Sequence, residues 1–255
     1  MRLTRRQFVA AAGLGALAGC AGDANVGSED TPTATDTATA TETPTPTAAP
    51  VADAPIPTTD EVLSLSRDPG DFESLAVSGD PPKDGIPSID DPAFVGADGV
   101  DFLDPGDPVF GVALNGAVKA YPRKILVQHE IVNDSLGDLP VTVTYCPLTG
   151  TVQGFERGET TFGVSGRLIN NNLVMYDGAT EAWWPQMLAT SIPGPWNPGS
   201  GTRSLREFGL VWTTWEQWRD LHPDTQVLST ETEFAENYGR DPYEGVQSTR
   251  GLLRQ

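Results

Sequence analysis

Lysine and histidine are nearly missing from this 255-residue chain, which holds only Lys83, Lys119 and Lys124 and only His129 and His222. Two imidazoles exclude a site built on several of them, and with it the common catalytic zinc centres. Cysteine is as scarce, with Cys20 and Cys146 alone. There is no phosphate-cradling loop, no Gly-x-Ser-x-Gly elbow, no His-Glu-x-x-His and no Cys-x-x-Cys. Long apolar runs are absent too, and the stretch from Val9 to Gly19 is too short for a bilayer span, which needs about 20 residues. Positive charge is outweighed, 16 basic residues standing against 35 acidic ones for a net charge of −19. Such a surface repels nucleic acid and anionic lipid headgroups, so neither is an expected partner. An acidic, lysine-poor surface is also the usual adaptation to high salt, where screening removes self-repulsion.

What is present begins at the N-terminus. Thr4-Arg5-Arg6-Gln7-Phe8 has the twin-arginine pattern, and the short apolar run after it reads as the core of an export signal. Leu17-Ala18-Gly19-Cys20 resembles the lipobox at which bacterial and archaeal lipoproteins are cleaved and lipidated, here on Cys20. The alternative is a plain signal peptide with an incidental cysteine. The expected location is the extracytoplasmic face of the membrane, with the lipid on Cys20 as the membrane partner. Removal of the signal takes away three arginines and no acid, leaving 13 basic against 35 acidic residues, a net charge of −22. Cys146 is then the one free thiol, and no intramolecular disulfide can form.

Composition divides the rest. Residues 21–58 form a Thr/Pro-rich tether, with Thr at every odd position from Thr31 to Thr47 and no large apolar side chains between. Such a stretch cannot offset its ordering entropy and is expected to be disordered. Residues 59–255 suffice for one globular domain with a sizeable core. Val109–Leu114 and Ala117–Tyr121 flank Asn115-Gly116, the strongest local hairpin signal. Pro140–Tyr145 is a β-branched strand ending at Cys146-Pro147, and Thr160–Ser165 and Leu173–Tyr176 are further strands. Helical pattern is limited to Arg123–Asn133 and Thr214–Leu221, the second stopped by His222-Pro223. The fold class expected is mainly β with a few short helices, a barrel-like or sandwich domain.

Candidate chemistry is thin. Any metal site must draw on Cys146, His129, His222, Met175, Met187 and carboxylates. Cys146 sits at a strand end before a turn, where folds present reactive side chains, although a buried structural thiol fits the same pattern. His129 lies within an apolar amphipathic run, either as a satisfied core histidine or as a ligand or base. Glu130, its neighbour, points elsewhere on a helix and is not expected to orient it. His222 suits a helix terminus. Trp212, Trp215 and Trp218 read as a core stripe before a stacking platform. If Trp183-Trp184 is strand, one of the pair faces outward and lines a pocket. Asn170-Asn171-Asn172 reads as a turn.

Ordered blocks from Asp84 to Asp241 carry a resemblance. Gly85-Ile86-Pro87, Ala120-Tyr121-Pro122, His129-Glu130-Ile131-Val132-Asn133-Asp134, Tyr145-Cys146-Pro147-Leu148, Phe162-Gly163-Val164-Ser165-Gly166 and Leu173-Val174-Met175-Tyr176-Asp177 are similar to the family called domain of unknown function 3179. The resemblance implies no established activity. The family's Cys-Pro-Leu-Cys-Gly-Thr has Thr149 here in place of the second cysteine, and Gln128 stands where a tryptophan precedes the histidine. The family continues past Asp241-Pro242-Tyr243, so C-terminal truncation of the domain is an expectation. Three functions stay open. One is soft-metal binding, copper first, through Cys146 and His129 with Met175. Another is non-catalytic binding of a small ligand or protein partner by an aromatic-lined pocket that includes Trp184. The third is an enzyme with Cys146 as nucleophile and His129 as base.

Overall fold

The computed structural model describes residues 56–59, 65–193, 202–234 and 236–244, all within the unit Pro46–Gln255. The export signal, Cys20 and the tether as far as residue 55 lie outside the described residues. Among the described residues, packing is already present at Ile56, three residues before the boundary drawn from composition. Ile56 is buried against the apolar cluster of Cys146 and Trp184, and Thr58 bridges to Leu205. A lone isoleucine in a polar stretch carries no periodicity, so only tertiary packing reveals it.

The domain is mainly β, in three sheets that do not close. The hairpin expected at Asn115-Gly116 joins β3 (Pro108–Leu114) to β4 (Ala117–Pro122), with both turn residues at positive φ. These two strands form the centre of a five-stranded sheet. Its outer members are β12 (Val211–Thr214), β13 (Gln226–Leu228) and β2 (Phe94–Gly96), in the order β12-β3-β4-β13-β2. The second sheet, β11-β7-β6-β5, contains β5 (Ile131–Leu136), β6 (Leu139–Cys146), β7 (Thr151–Glu156) and β11 (Glu207–Phe208). The third, β1-β8-β9-β10, contains β1 (Val77–Ser78), β8 (Phe162–Ile169), β9 (Asn172–Asp177) and β10 (Trp183–Pro185). No helix among the described residues is long and apolar enough to cross a membrane.

Among the described residues are three short α-helices: α1 (Pro69–Ser74), α2 (Arg123–His129) and α3 (Trp215–Leu221). The last is capped by Thr214 and ends at His222, as its sequence signals indicate. The helix expected over Arg123–Asn133 is shorter. It closes at Glu130, whose backbone turns left-handed at φ 58, and Ile131–Asn133 continue as strand. Ile131 and Val132 are β-branched and pair with Thr144 and Val143, so sheet pairing overrides the amphipathic pattern.

The tryptophans also differ from expectation. Trp183 and Trp184 are both buried, at 4% and 0% exposure. They alternate as strand residues should, but both faces are covered: Trp183 packs with Ile169, Val174 and Ile192, and Trp184 with Phe162 and Met175. Trp215 and Trp218 are core, whereas Trp212 stands half-exposed on edge strand β12. Trp218 lies so close to β3 that a Cβ on Gly111 would come within 2.3 Å of its ring.

Candidate functional site

The block His129–Asp134 runs from the end of α2 into β5, and each polar side chain in it ties down a distant segment. His129 Nδ1 meets the Pro87 carbonyl at 2.9 Å and Nε2 meets the Tyr238 hydroxyl at 2.8 Å. Because the carbonyl only accepts, Nδ1 carries the proton and Nε2 accepts from Tyr238. Burial lowers the pKa of this imidazole. Asn133 donates to Asp90 and to the Phe162 carbonyl and accepts from the Phe162 amide. Asp134 accepts from Lys119 Nζ with both oxygens at 2.8 Å and from the Tyr121 hydroxyl at 2.6 Å. These contacts are cross-links between elements, and they account for most of the block's polar residues without chemistry.

Glu130 is different. Its carboxyl is 6% exposed, sits on the left-handed residue that ends α2, and accepts from the Tyr243 hydroxyl at 2.9 Å. Burial raises its pKa to about 7, the Tyr243 hydrogen bond opposing the shift. Tyr243 itself is pushed well above the usual tyrosine range, first by burial, then by Glu130, and further by Cys146. The carboxyl therefore hydrogen-bonds this hydroxyl, while the thiol acts on it only electrostatically.

Cys146 ends β6 and is 1% exposed, with its Sγ 3.7 Å from the Asn171 carbonyl oxygen. Ile131, Phe155, Phe162, Met175 and Trp184 belong to the same apolar cluster. Three residues on, Thr149 accepts a hydrogen bond at 3.0 Å from Asn172, whose amide also donates to Gln186. Positions 146 and 149 thus both face the β8–β9 turn, where Asn170 and Asn171 adopt positive φ. The Thr149 hydroxyl is thereby engaged at that turn.

Of the sequence-derived candidates, Cys146 and Met175 share one buried cluster. His129 is not joined to Cys146 by any hydrogen bond or ring contact among the described residues, and its two nitrogens face Pro87 and Tyr238. No group of three or more His, Cys, Asp or Glu side chains among the described residues is placed to share a metal ion. His222 closes α3 and stacks 4.1 Å from the Trp218 ring, a structural placement, and Met187 is exposed.

Glu130 and Tyr243 were not visible as partners in sequence. They lie 113 residues apart and meet because the Asn237–Tyr243 segment folds back on α2. Arg123 binds Asp241 at 2.7 Å and Gln128 donates to the Arg240 carbonyl at 2.6 Å, so α2 side chains hold the segment along its length. The one available signal was a glutamate preceding a β-branched pair, where a helix must break.

A family model described as Protein of unknown function (DUF3179) matches residues 83–254. No curated protein and no solved structure matches the chain.

Proposed function

Since the chain belongs to the DUF3179 family, whose description assigns no activity, we propose from its own residues that it is an exported lipoprotein with a thiol-dependent catalytic centre. Lipid on Cys20 holds it at the outer face of the membrane. Cys146 is the nucleophile of this centre, and Glu130 takes the place as base that sequence alone offers to His129.

The observation that carries this reading is the buried Glu130 carboxyl accepting from the Tyr243 hydroxyl, whose pKa Cys146 also raises electrostatically. A carboxyl with a pKa near 7 exchanges protons at neutral pH, which is what a general base requires. Its position on a left-handed, non-glycine residue fits the backbone strain that collects at functional sites. His129 is already occupied on both nitrogens and serves to hold the fold.

The test is iodoacetamide alkylation of the folded chain carrying Cys20→Ser, so that Cys146 is the single thiol, across pH 5 to 9. The expected rate profile bends near pH 7, and the bend moves in Glu130→Gln and in Tyr243→Phe. A folded thiol that resists alkylation throughout, or a profile that Glu130→Gln leaves unchanged, overturns the reading.

One observation favours soft-metal binding as a second reading. The Pro87 carbonyl fixes the His129 tautomer so that Nε2 bears the lone pair, as in metal-ligating histidines, and Cys146 and Met175 lie in one buried cluster. For Nε2 to reach a metal, Tyr238 must first let it go. Titration of Cu(I) into the reduced chain with Cys20→Ser decides it: 1:1 binding abolished by Cys146→Ser supports the metal, and no binding removes it.

A further inference from the structure

The segment that ends in Tyr243 lacks the pairing that holds the strands. Its backbone leaves the sheets at Ser229, whose amide donates to the Ala93 carbonyl. From there to Glu244, no backbone-to-backbone hydrogen bond joins it to another element among the described residues, and its own bonds are local turns such as Arg240 to Asn237. None of the residues from Asn237 to Glu244 is buried. Few buried contacts and an exposed backbone mark the parts of a fold that open locally at low free-energy cost.

Its fastenings are side chains from one stretch, Arg123 to Glu130. Arg123 pairs with Asp241 at 2.7 Å, and Gln128 donates to the Asn237 and Arg240 carbonyls. His129 accepts from Tyr238, and the Glu130 carboxyl accepts from Tyr243. The pair of Arg123 and Asp241 is partly exposed, so water and salt weaken it. Ile125, Leu126 and Val127 anchor α2 in the core, so any motion belongs to the segment and not to the helix.

The Tyr243 hydroxyl stands where a base would need its substrate. A general base takes a proton only from a group within hydrogen-bond reach. At Glu130 Oε1 that place is filled by the phenol, 2.9 Å away. The Glu130 carbonyl in turn accepts from the Tyr145 amide at 2.7 Å, so the filled place lies against the end of β6, one residue from Cys146.

We propose that Asn237–Tyr243 is an autoinhibitory strap: closed, it seals Glu130 under Tyr243, and it swings off α2 to admit a substrate. In the open state an O–H, N–H or S–H donor of the substrate takes the place of the phenol. The functional meaning of this opening rests on the reading of Glu130 as a base, whereas the closure itself does not.

Carbodiimide coupling with glycinamide at mildly acidic pH reads the carboxyl directly, peptide mapping by mass giving the rate at each acidic side chain of the full-length chain. Asp241→Asn removes the charge opposite Arg123 while keeping an acceptor for the Tyr243 amide, and Gln128→Ala removes both carbonyl contacts. Each is expected to speed coupling at Glu130 about threefold or more. Asp177, fully buried and bonded only around its own turn and to Trp184, should keep the parent's rate. Coupling at Glu130 that neither variant speeds, or an equal rise at Asp177, would overturn the strap. The two readings fail separately. Faster coupling at Glu130 beside a Cys146 alkylation profile that does not bend near pH 7 keeps the strap and removes the base. A bend that Glu130→Gln moves, with coupling unchanged in both strap variants, keeps the base and removes the strap.

Discussion

The Tyr238 hydroxyl stands 2.8 Å from His129 Nε2 while Nδ1 of the same ring donates to the Pro87 carbonyl, so one imidazole ties together segments 151 positions apart. Thr232 completes the chain of hydrogen bonds at 2.6 Å from Tyr238, and the Phe234 ring lies 5.2 Å from the imidazole. Protonation of His129 would put a donor on Nε2 and force the Tyr238 hydroxyl to turn its own proton away, toward Thr232. Its pKa is depressed by burial, so the stabilisation is present above the unfolded-state pKa and is lost as pH falls through the lower folded value. His129→Ala is expected to cost about 2–4 kcal/mol through two lost buried hydrogen bonds and lost ring packing. It should also flatten the acid limb of stability below about pH 6.5. Denaturant unfolding from pH 5 to 8 measures both, and an acid limb that survives the substitution would assign it to other groups.

Glu130 runs in the other direction. Its folded pKa of about 7 exceeds the ordinary glutamate value of 4.5, so its contribution is complete below pH 4.5 and disappears as pH rises through 7. The shift corresponds to a loss on the order of 3 kcal/mol at alkaline pH. Glu130→Gln keeps an acceptor for Tyr243 and never ionises. It should therefore be more stable than the parent above pH 7 and nearly equal to it near pH 5. A parent chain whose stability does not fall between pH 5 and 8 relative to this variant would contradict the burial of the ionised carboxyl.

Lys119 and Asp134 form a buried pair at 2.8 Å, with the Ser135 carbonyl and the Tyr121 hydroxyl completing the network. Breaking one side leaves an uncompensated charge in the core, which costs about 3–5 kcal/mol. Asp134→Asn is expected to fall in that range. Lys119→Met together with Asp134→Leu should cost far less than the sum of the single substitutions, because no charge then remains buried. A double-mutant cycle by denaturant unfolding gives the coupling, and additive losses would show that the pair is not desolvated as a unit.

Local signals were readable where the cause was local. Asn115-Gly116 marks its hairpin because both residues adopt the positive φ that the turn requires. Thr214 and His222-Pro223 bound α3 for equally local reasons. The overrun of α2 into Ile131–Asn133 has a non-local cause, the pairing of β5 with β6. The burial of both Trp183 and Trp184 depends on a second layer from Phe72 and Ile192, which no alternation pattern announces. Likewise the site could be named only in part. Cys146 at a strand end was visible, whereas Tyr243, which donates to Glu130 and feels Cys146 only electrostatically, lies nearly 100 positions further on.

Salt should matter more to this chain than to most. Acidic residues exceed basic ones by 19, and only three lysines are present. Like charges repel across a compact surface, over about 10 Å at 0.1 M salt and about 3 Å at 1 M. The melting temperature is therefore expected to climb steeply from 0.1 to 2 M KCl. General salting effects also stabilise folded proteins, so the slope alone does not identify repulsion. Asp91, Asp138 and Glu159 are exposed and carry no ion pair among the described residues, which makes them clean places to change charge. Replacing all three by lysine should raise the melting temperature at 0.1 M KCl while leaving it nearly unchanged at 2 M. An unaltered salt slope in the triple variant would mean that the stabilisation by salt comes from ion exclusion rather than from screening.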